Sequence, residues 1–205
     1  MPPSPSPSPI AGMILAGGLA RRMGGGDKAL MEVKGKTLLD HTLARLARQV
    51  SPILLNANGD PARFARFGLE VRADVIDGYG GPLVGILTGL EWAAGLGADR
   101  LVTTAADTPL FPTDLAARLD AAVQAKGADI AMAVSAGRSH PVFALWPVSL
   151  TAELRRAVAE QGERKVEAFA DRYTVARVEW PAIPLDPFFN ANTPDELARL
   201  ADLLD

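Results

Sequence analysis

Cysteine is missing from the sequence, and histidine occurs only at His41 and His140. The first absence removes disulfides, thiolate catalysis and cysteine zinc sites, and it fits a reducing cytoplasm, which is the expected location. The second argues against a histidine-built metal centre, so any metal should be a hard ion held by oxygen, of the magnesium kind. Charge of one sign is not in large excess either: 21 Lys and Arg oppose 24 Asp and Glu, a formal net charge of −3. That balance excludes a general polyanion binder, and no nucleic-acid partner is expected, although a local loop can bind a small phosphate whatever the total charge. No apolar run approaches the ~18 residues of a membrane span, so no membrane partner is expected. Residues 1–9 alternate Pro and Ser. They lack the basic and apolar regions of a signal peptide and are expected to be a disordered tail.

What is present describes an ordinary globular chain: 205 residues, 48% hydrophobic and 22% charged. A chain of this size buries roughly 70% of its unfolded surface, enough for a core, and residues 10–205 are expected to form one domain. Short apolar runs alternate with helical patterns. Strands are expected at 10–16, 52–55, 69–72, 101–106, 130–134, 142–146 and 174–178. Thr37-Leu38-Leu39-Asp40 reads as a capping box before a helix whose face carries Leu39, Leu43, Leu46 and Val50. Further helices are expected at 62–67, 83–96, from 112 to 126, 149–161 and 166–170. The segment Thr193-Pro194-Asp195-Glu196 opens a closing helix, with Pro at its first position. In the 83–96 helix, Gly85, Gly89, Ala93 and Ala94 permit close packing. The order predicts an α/β, Rossmann-like three-layer fold: a mostly parallel mixed sheet with helices on both faces.

In such a sheet, ligands gather beyond the carboxyl ends of the strands. The most telling segment there runs from Leu15 to Lys28 and holds five glycines, two arginines and one lysine in fourteen residues. Glycines let backbone N–H groups approach a phosphate, and the cations neutralise its charge. It is not a Walker loop, since Lys28 precedes Ala29 rather than Ser or Thr, and the GxGxxG spacing is absent. An ordinary glycine-rich connection is the bland alternative, made uncomfortable by three cations.

The pattern LAGGxxxRMGGxDK resembles the signature loop of the nucleotidyltransferases. Its double-glycine form, Leu15-Ala16-Gly17-Gly18 with Arg21-Arg22-Met23-Gly24 and Asp27-Lys28, most resembles the molybdenum cofactor guanylyltransferase family. Further matches follow in family order: Asn56-Ala57-Asn58, Gly81-Pro82-Leu83, Asp107-Thr108-Pro109, His140-Pro141, Glu163-Arg164-Lys165-Val166 and Asn190-Ala191-Asn192-Thr193-Pro194.

The resemblance implies transfer of GMP from GTP to the terminal phosphate of molybdopterin, with release of pyrophosphate. A sister enzyme using CTP on molybdopterin, or one activating a sugar or polyol phosphate, is the rival reading. Sister cytidylyl enzymes commonly resemble LAAG at the loop start, so Gly18 favours the purine. An adaptor module without activity is disfavoured by the presence of Arg22, Lys28 and Asp107. By the same resemblance, Leu15, Ala16 and Gly17 hold the nucleotide through their backbone, and Arg22 and Lys28 meet phosphate oxygens. Asn56 and Asp74 contact the nucleoside, Asp74 by accepting from guanine N–H groups or ribose hydroxyls. Asp107 ligates magnesium, and Gly81, Asn190 and Asn192 face the pterin substrate. The protein is expected to act as a monomer, with transient contacts to cofactor-donor proteins and molybdoenzymes.

Bland alternatives stand beside these roles. Asp107 also suits a turn cap and Asn56 a strand end. Asp77 competes with Asp74. Asn190 and Asn192 also suit a helix entry, and His140 a structural histidine. Glu163-Arg164-Lys165 also reads as a solvated helix end. Trp92, Trp146 and Trp180 read as packing residues.

Overall fold

A computed structural model describes residues 10–17, 27–78, 81–190 and 193–203. The proposed tail, most of the glycine-rich loop with Arg21 and Arg22, and Asn192 lie outside the described residues.

Strands β1 (Ile10–Leu15), β4 (Ile53–Asn56), β5 (Glu70–Arg72), β6 (Arg100–Ala105), β7 (Ile130–Ser135), β8 (Arg138–Pro147) and β9 (Val175–Trp180) form one sheet in the order β5-β4-β1-β6-β8-β7-β9. Its neighbours pair in parallel except where β8 inserts antiparallel between β6 and β7. A small hairpin, β2 (Glu32–Val33) with β3 (Lys36–Thr37), stands apart. The helices are α1 (Leu38–Leu46), α2 (Pro82–Gly95), α3 (Leu115–Lys126), α4 (Thr151–Ala159), α5 (Val166–Ala170) and α6 (Pro194–Leu203). None is long and apolar enough to cross a membrane.

Alternation along β1 builds the two sides of the core. Ile14 faces α1 and α3 with Leu39, Leu46, Leu115 and Leu119. Ala11 and Met13 face the opposite layer with Leu83, Leu87 and Leu90 of α2 and Leu154 of α4. Crossovers on opposite faces reverse the strand order at β1 and β6, which leaves a crevice between their carboxyl ends.

Local chemistry explains most boundaries. The Thr37 hydroxyl accepts from the Asp40 N–H at 3.1 Å, while the Asp40 carboxylate accepts from the Thr37 N–H at 2.8 Å. This is the expected capping box, though α1 ends at Leu46, so Val50 lies beyond the helix. The 62–67 segment is a 3-10 helix, Pro61–Phe67, begun by Asp60 and stopped by Gly68 at φ 65°. Helix α4 is shorter than the 149–161 expectation because Val148–Leu150 forms its own 3-10 turn. The turn expected over residues 135–139 contracts to Ala136 and Gly137, both at positive φ (47° and 71°). Such two-residue turns match the strand twist. Lys34 and Gly35 (52° and 72°) close the β2–β3 hairpin in the same way.

Thr37→Ala should lower unfolding stability by about 1 kcal/mol, the usual cost of losing an N-cap. A urea titration read by far-UV circular dichroism checks this: a reduced midpoint at unchanged slope is expected, and an unchanged midpoint counts against the cap.

Candidate active site

Register brings three strand ends into line. Leu15 pairs with Asn56 on one side and with Ala105 on the other. Backbone bonds carry the alignment onward, from Ala16 N–H to the Asn56 carbonyl and from Ala106 N–H to the Leu15 carbonyl. Above these ends lies a cavity of about 880 Å³.

On its β4 side, Asn56 is nearly fully buried. Its amide donates to the Arg72 carbonyl at 3.1 Å and to Asp74 Oδ1 at 3.0 Å. Asn58 donates to Asp74 Oδ2 at 2.7 Å and accepts the Asp74 N–H at 2.8 Å. Each carboxylate oxygen of Asp74 is therefore held by one amide, and the carboxylate is aimed before any ligand arrives. Asp77 is not among the residues lining the cavity, whereas Asp74 is. Gly85 of α2 closes this corner: a Cβ there would run into Leu15 Cδ2 and Asn56 Oδ1.

At the centre, Lys28 reaches Asp107 with Nζ 2.6 Å from Oδ2. Lys28 is 9% exposed, so its charge needs this company. Among the described residues nothing lies within 4 Å of a Cβ built at Gly17. Arg63, which no motif in the sequence marks, also lines the cavity. It pairs with Asp27 at 2.9 Å and donates to the Asn58 carbonyl, tying the Lys28 segment to the Asp74 corner.

On the β8 side, the fully buried Thr108 donates to Asn190 Oδ1. Arg138, Ser139 and His140 complete the wall. The His140 ring stacks on Phe188 at 4.4 Å. Burial pushes its imidazole below the ordinary value; Asp186 and Glu179 oppose that, and Arg138 adds to it. Burial thus favours the neutral ring.

Gly81 sits at φ 120° beside the Arg164 carbonyl, so this loop abuts the 163–165 segment. There Glu163 is held below the usual carboxylate range by the Lys165 and Arg164 N–H groups, with a smaller contribution from Arg172.

Of the residues expected from the sequence to form the site, Leu15, Ala16, Gly17, Lys28, Asn56, Asp74, Gly81, Asp107 and Asn190 all line the one cavity. Arg22 and Asn192 fall outside the described residues. The three tryptophans are buried: Trp146 bonds to Thr103, Trp92 to Glu70 and Trp180 to Asp114. A cavity with an aimed carboxylate at one end and a lysine–aspartate pair at its centre can orient a base and neutralise phosphate.

Residues 12–175 match the family described as the MobA-like NTP transferase domain. Among curated proteins, the chain is 54% identical over 201 residues to the molybdenum cofactor guanylyltransferase of Bradyrhizobium sp., covering 96% of this chain and 95% of that one. It is 56% identical over 199 residues to the enzyme of the same name from Rhodopseudomonas palustris, covering 96% and 92%. Among solved structures, molybdopterin-guanine dinucleotide biosynthesis protein A from Archaeoglobus fulgidus superimposes with TM-score 0.73 at 25% identity, over 94% of this chain and 97% of that one.

Gly85→Ala tests the closed corner. The Asn56 amide is held by two acceptors and cannot retreat freely, so overpacking should cost about 1–3 kcal/mol. Thermal and urea unfolding measure the loss, and full stability would show that the corner is looser than these contacts imply.

Proposed function

The chain belongs to the MobA-like NTP transferase family, and on that footing we propose that it transfers GMP from GTP to the terminal phosphate of molybdopterin, releasing pyrophosphate. The observation that carries this reading is the order β4-β1-β6-β8 of the strands whose ends line the cavity, which sets the Asp74 corner beside the Leu15–Gly17 backbone, then Asp107 with Lys28, then His140. A nucleotide laid across that edge puts its base at Asp74 and its phosphates at Lys28. The β8 side then remains for the acceptor.

Guanine offers N–H donors on its pairing edge, and Asp74 offers acceptor oxygens already held in place by Asn56 and Asn58. An acceptor phosphate oxygen attacks the α-phosphorus, forming the new P–O bond. The bond from that phosphorus to the β-bridging oxygen breaks, and its electron pair leaves with pyrophosphate. The nucleophile is already anionic, so positioning and charge neutralisation do most of the work. Lys28 supplies a point charge to the phosphates and Arg22 a planar fork. Asn190, whose Oδ1 is occupied by Thr108, presents its amide hydrogens to acceptor phosphate.

The donor chemistry fits magnesium. Among the described residues no group of three acidic or histidine side chains converges. A magnesium ion that takes most of its ligands from phosphate and water needs only one or two carboxylates, and Asp107 offers one at the centre of the cavity. When bound, the ion supplies further neutralisation of phosphate charge. With ion and phosphate present, Asp107 and Lys28 would each have an oppositely charged partner in place of the other.

We propose that the protein acts as a cytoplasmic monomer. It would make transient contact with proteins that deliver the pterin and with molybdoenzymes that receive the product.

Two measurements test the reading. Titrating the four nucleoside triphosphates with magnesium should give selective binding of GTP, and Asp74→Asn should weaken it about 10- to 100-fold, the scale of hydrogen bonds to a charged group. Equal binding of all four, or CTP turnover with molybdopterin exceeding that of GTP, overturns the guanine assignment. Second, Lys28→Ala and Asp107→Ala should each slow GMP transfer by about 100-fold or more. Unchanged transfer in either variant removes that residue from the mechanism.

A further inference from the structure

Strand β8 departs from regular pairing where it meets the cavity. Met132 of β7 pairs with Ala144, but the next residue, Ala133, pairs with His140. Pro141, Val142 and Phe143 are thus extra residues on β8. Pro141 has no N–H for a ladder, which suits it to a bulge. The Val142 carbonyl finds the Thr103 hydroxyl at 2.6 Å instead. Bulges beside active sites re-aim side chains, and this one turns residues 140–143 into the cavity wall.

His140 is fixed there at the atomic level. Its Nε2 lies 2.7 Å from the Ser135 hydroxyl, which itself donates to Asp186 Oδ1 at 2.8 Å. A hydroxyl has one hydrogen, and the carboxylate takes it. Ser135 therefore accepts from His140, which places the imidazole proton on Nε2 and a lone pair on Nδ1. Asp186 is held in turn by the Phe188 N–H at 2.9 Å, and Phe188 supports the ring face. Nδ1 bonds to no described residue. Among the described residues no buried side-chain nitrogen or oxygen lacks a partner, so Nδ1 is open, on a residue that lines the cavity.

We infer that His140 is a specificity-determining residue for the acceptor: its Nδ1 accepts a hydrogen bond from an N–H or O–H group on the heterocyclic part of the phosphate-bearing substrate. This rests on the reading that the β8 side receives the acceptor. Ser135 and Asp186 are positioning residues that hold the tautomer. No proton is transferred; the ring selects a donor-bearing acceptor over a plain phosphate ester.

Two substitutions separate this role from a structural one. His140→Gln can keep the bond to Ser135 but offers nothing at the Nδ1 position. His140→Asn can place an oxygen near the Nδ1 position but cannot reach Ser135. The KM for molybdopterin should rise about tenfold in the Gln variant, the loss of one hydrogen bond. It should rise less in the Asn variant, with the KM for GTP unchanged in both. The opposite order, or an unchanged molybdopterin KM in the Gln variant, overturns the inference.

Nitrogen-15 spectra of the histidines in the unsubstituted protein give an independent readout, which decides the matter even if a variant fails to fold. The Nε2–H tautomer is expected, with the Nδ1 signal moving when molybdopterin is added. The Nδ1–H tautomer, or an Nδ1 signal indifferent to molybdopterin, also overturns the inference. Absence of GMP transfer by the unsubstituted protein would instead overturn the underlying reading.

Discussion

A lysine that is nine-tenths buried needs a counter-charge, and the 2.6 Å pair with Asp107 supplies it. Removing either partner would take a close counter-charge from the other in a poorly solvated crevice, which is costly. The pair joins the segment after β1 to the end of β6, the two strands between which the sheet order reverses. Its position is therefore a consequence of topology. Its chemistry makes it exchangeable: an anionic ligand with a hard cation gives each partner a replacement for the other. The crevice can be stable when empty and still accept an anion.

The Asp74 corner follows the same logic with hydrogen bonds in place of charge. Asn56 arrives there because β4 is in register with β1, and its amide is then divided between the Arg72 carbonyl and Asp74. Little donor capacity remains on Asn56 for a ligand, so its contribution is to aim the carboxylate. Asn58 completes the clamp, and Arg63 carries the restraint to Asp27, the neighbour of Lys28. The Asp74 and Lys28 sides of the cavity are thereby mechanically continuous through side chains.

Strand positions, the capping box at Thr37 and the cavity-lining Gly17 and Gly81 were legible because each depends on neighbours in the chain. Apolar runs flanked by glycine mark buried strands, and Thr with Asp three residues on marks a helix start. The β2–β3 hairpin was not legible: its turn uses Lys34-Gly35 between very short strands, without the Asn-Gly or Asp-Gly signal. Arg63 and Arg138 were missed for a different reason. A cation on a 3-10 helix or at a strand start looks like any solvated charge until the fold brings it to the cavity. Ser135 and Asp186, 51 residues apart, carry no periodic or motif signal at all. His140 was visible beside its proline, yet sequence alone favoured a structural or surface histidine; only the fold sets it on the cavity wall.

That bulge also explains why one antiparallel strand matters in a largely parallel sheet. The parallel strands β1, β4 and β6 present carboxyl ends to the crevice, where their chain continues into loops of glycine, asparagine and aspartate. Strand β8 runs the other way and presents its amino-terminal half, so its contribution comes from within the strand. Side chains there inherit the rigidity of the ladder on either side of the three extra residues. The β4 and β1 half of the cavity is lined by loop backbone and amides, and the β8 half by an imidazole stacked on Phe188 and anchored to a buried serine. Two ligands meeting over Asp107 would be met by two walls of different construction, one of loop backbone and held amides and one of strand side chains.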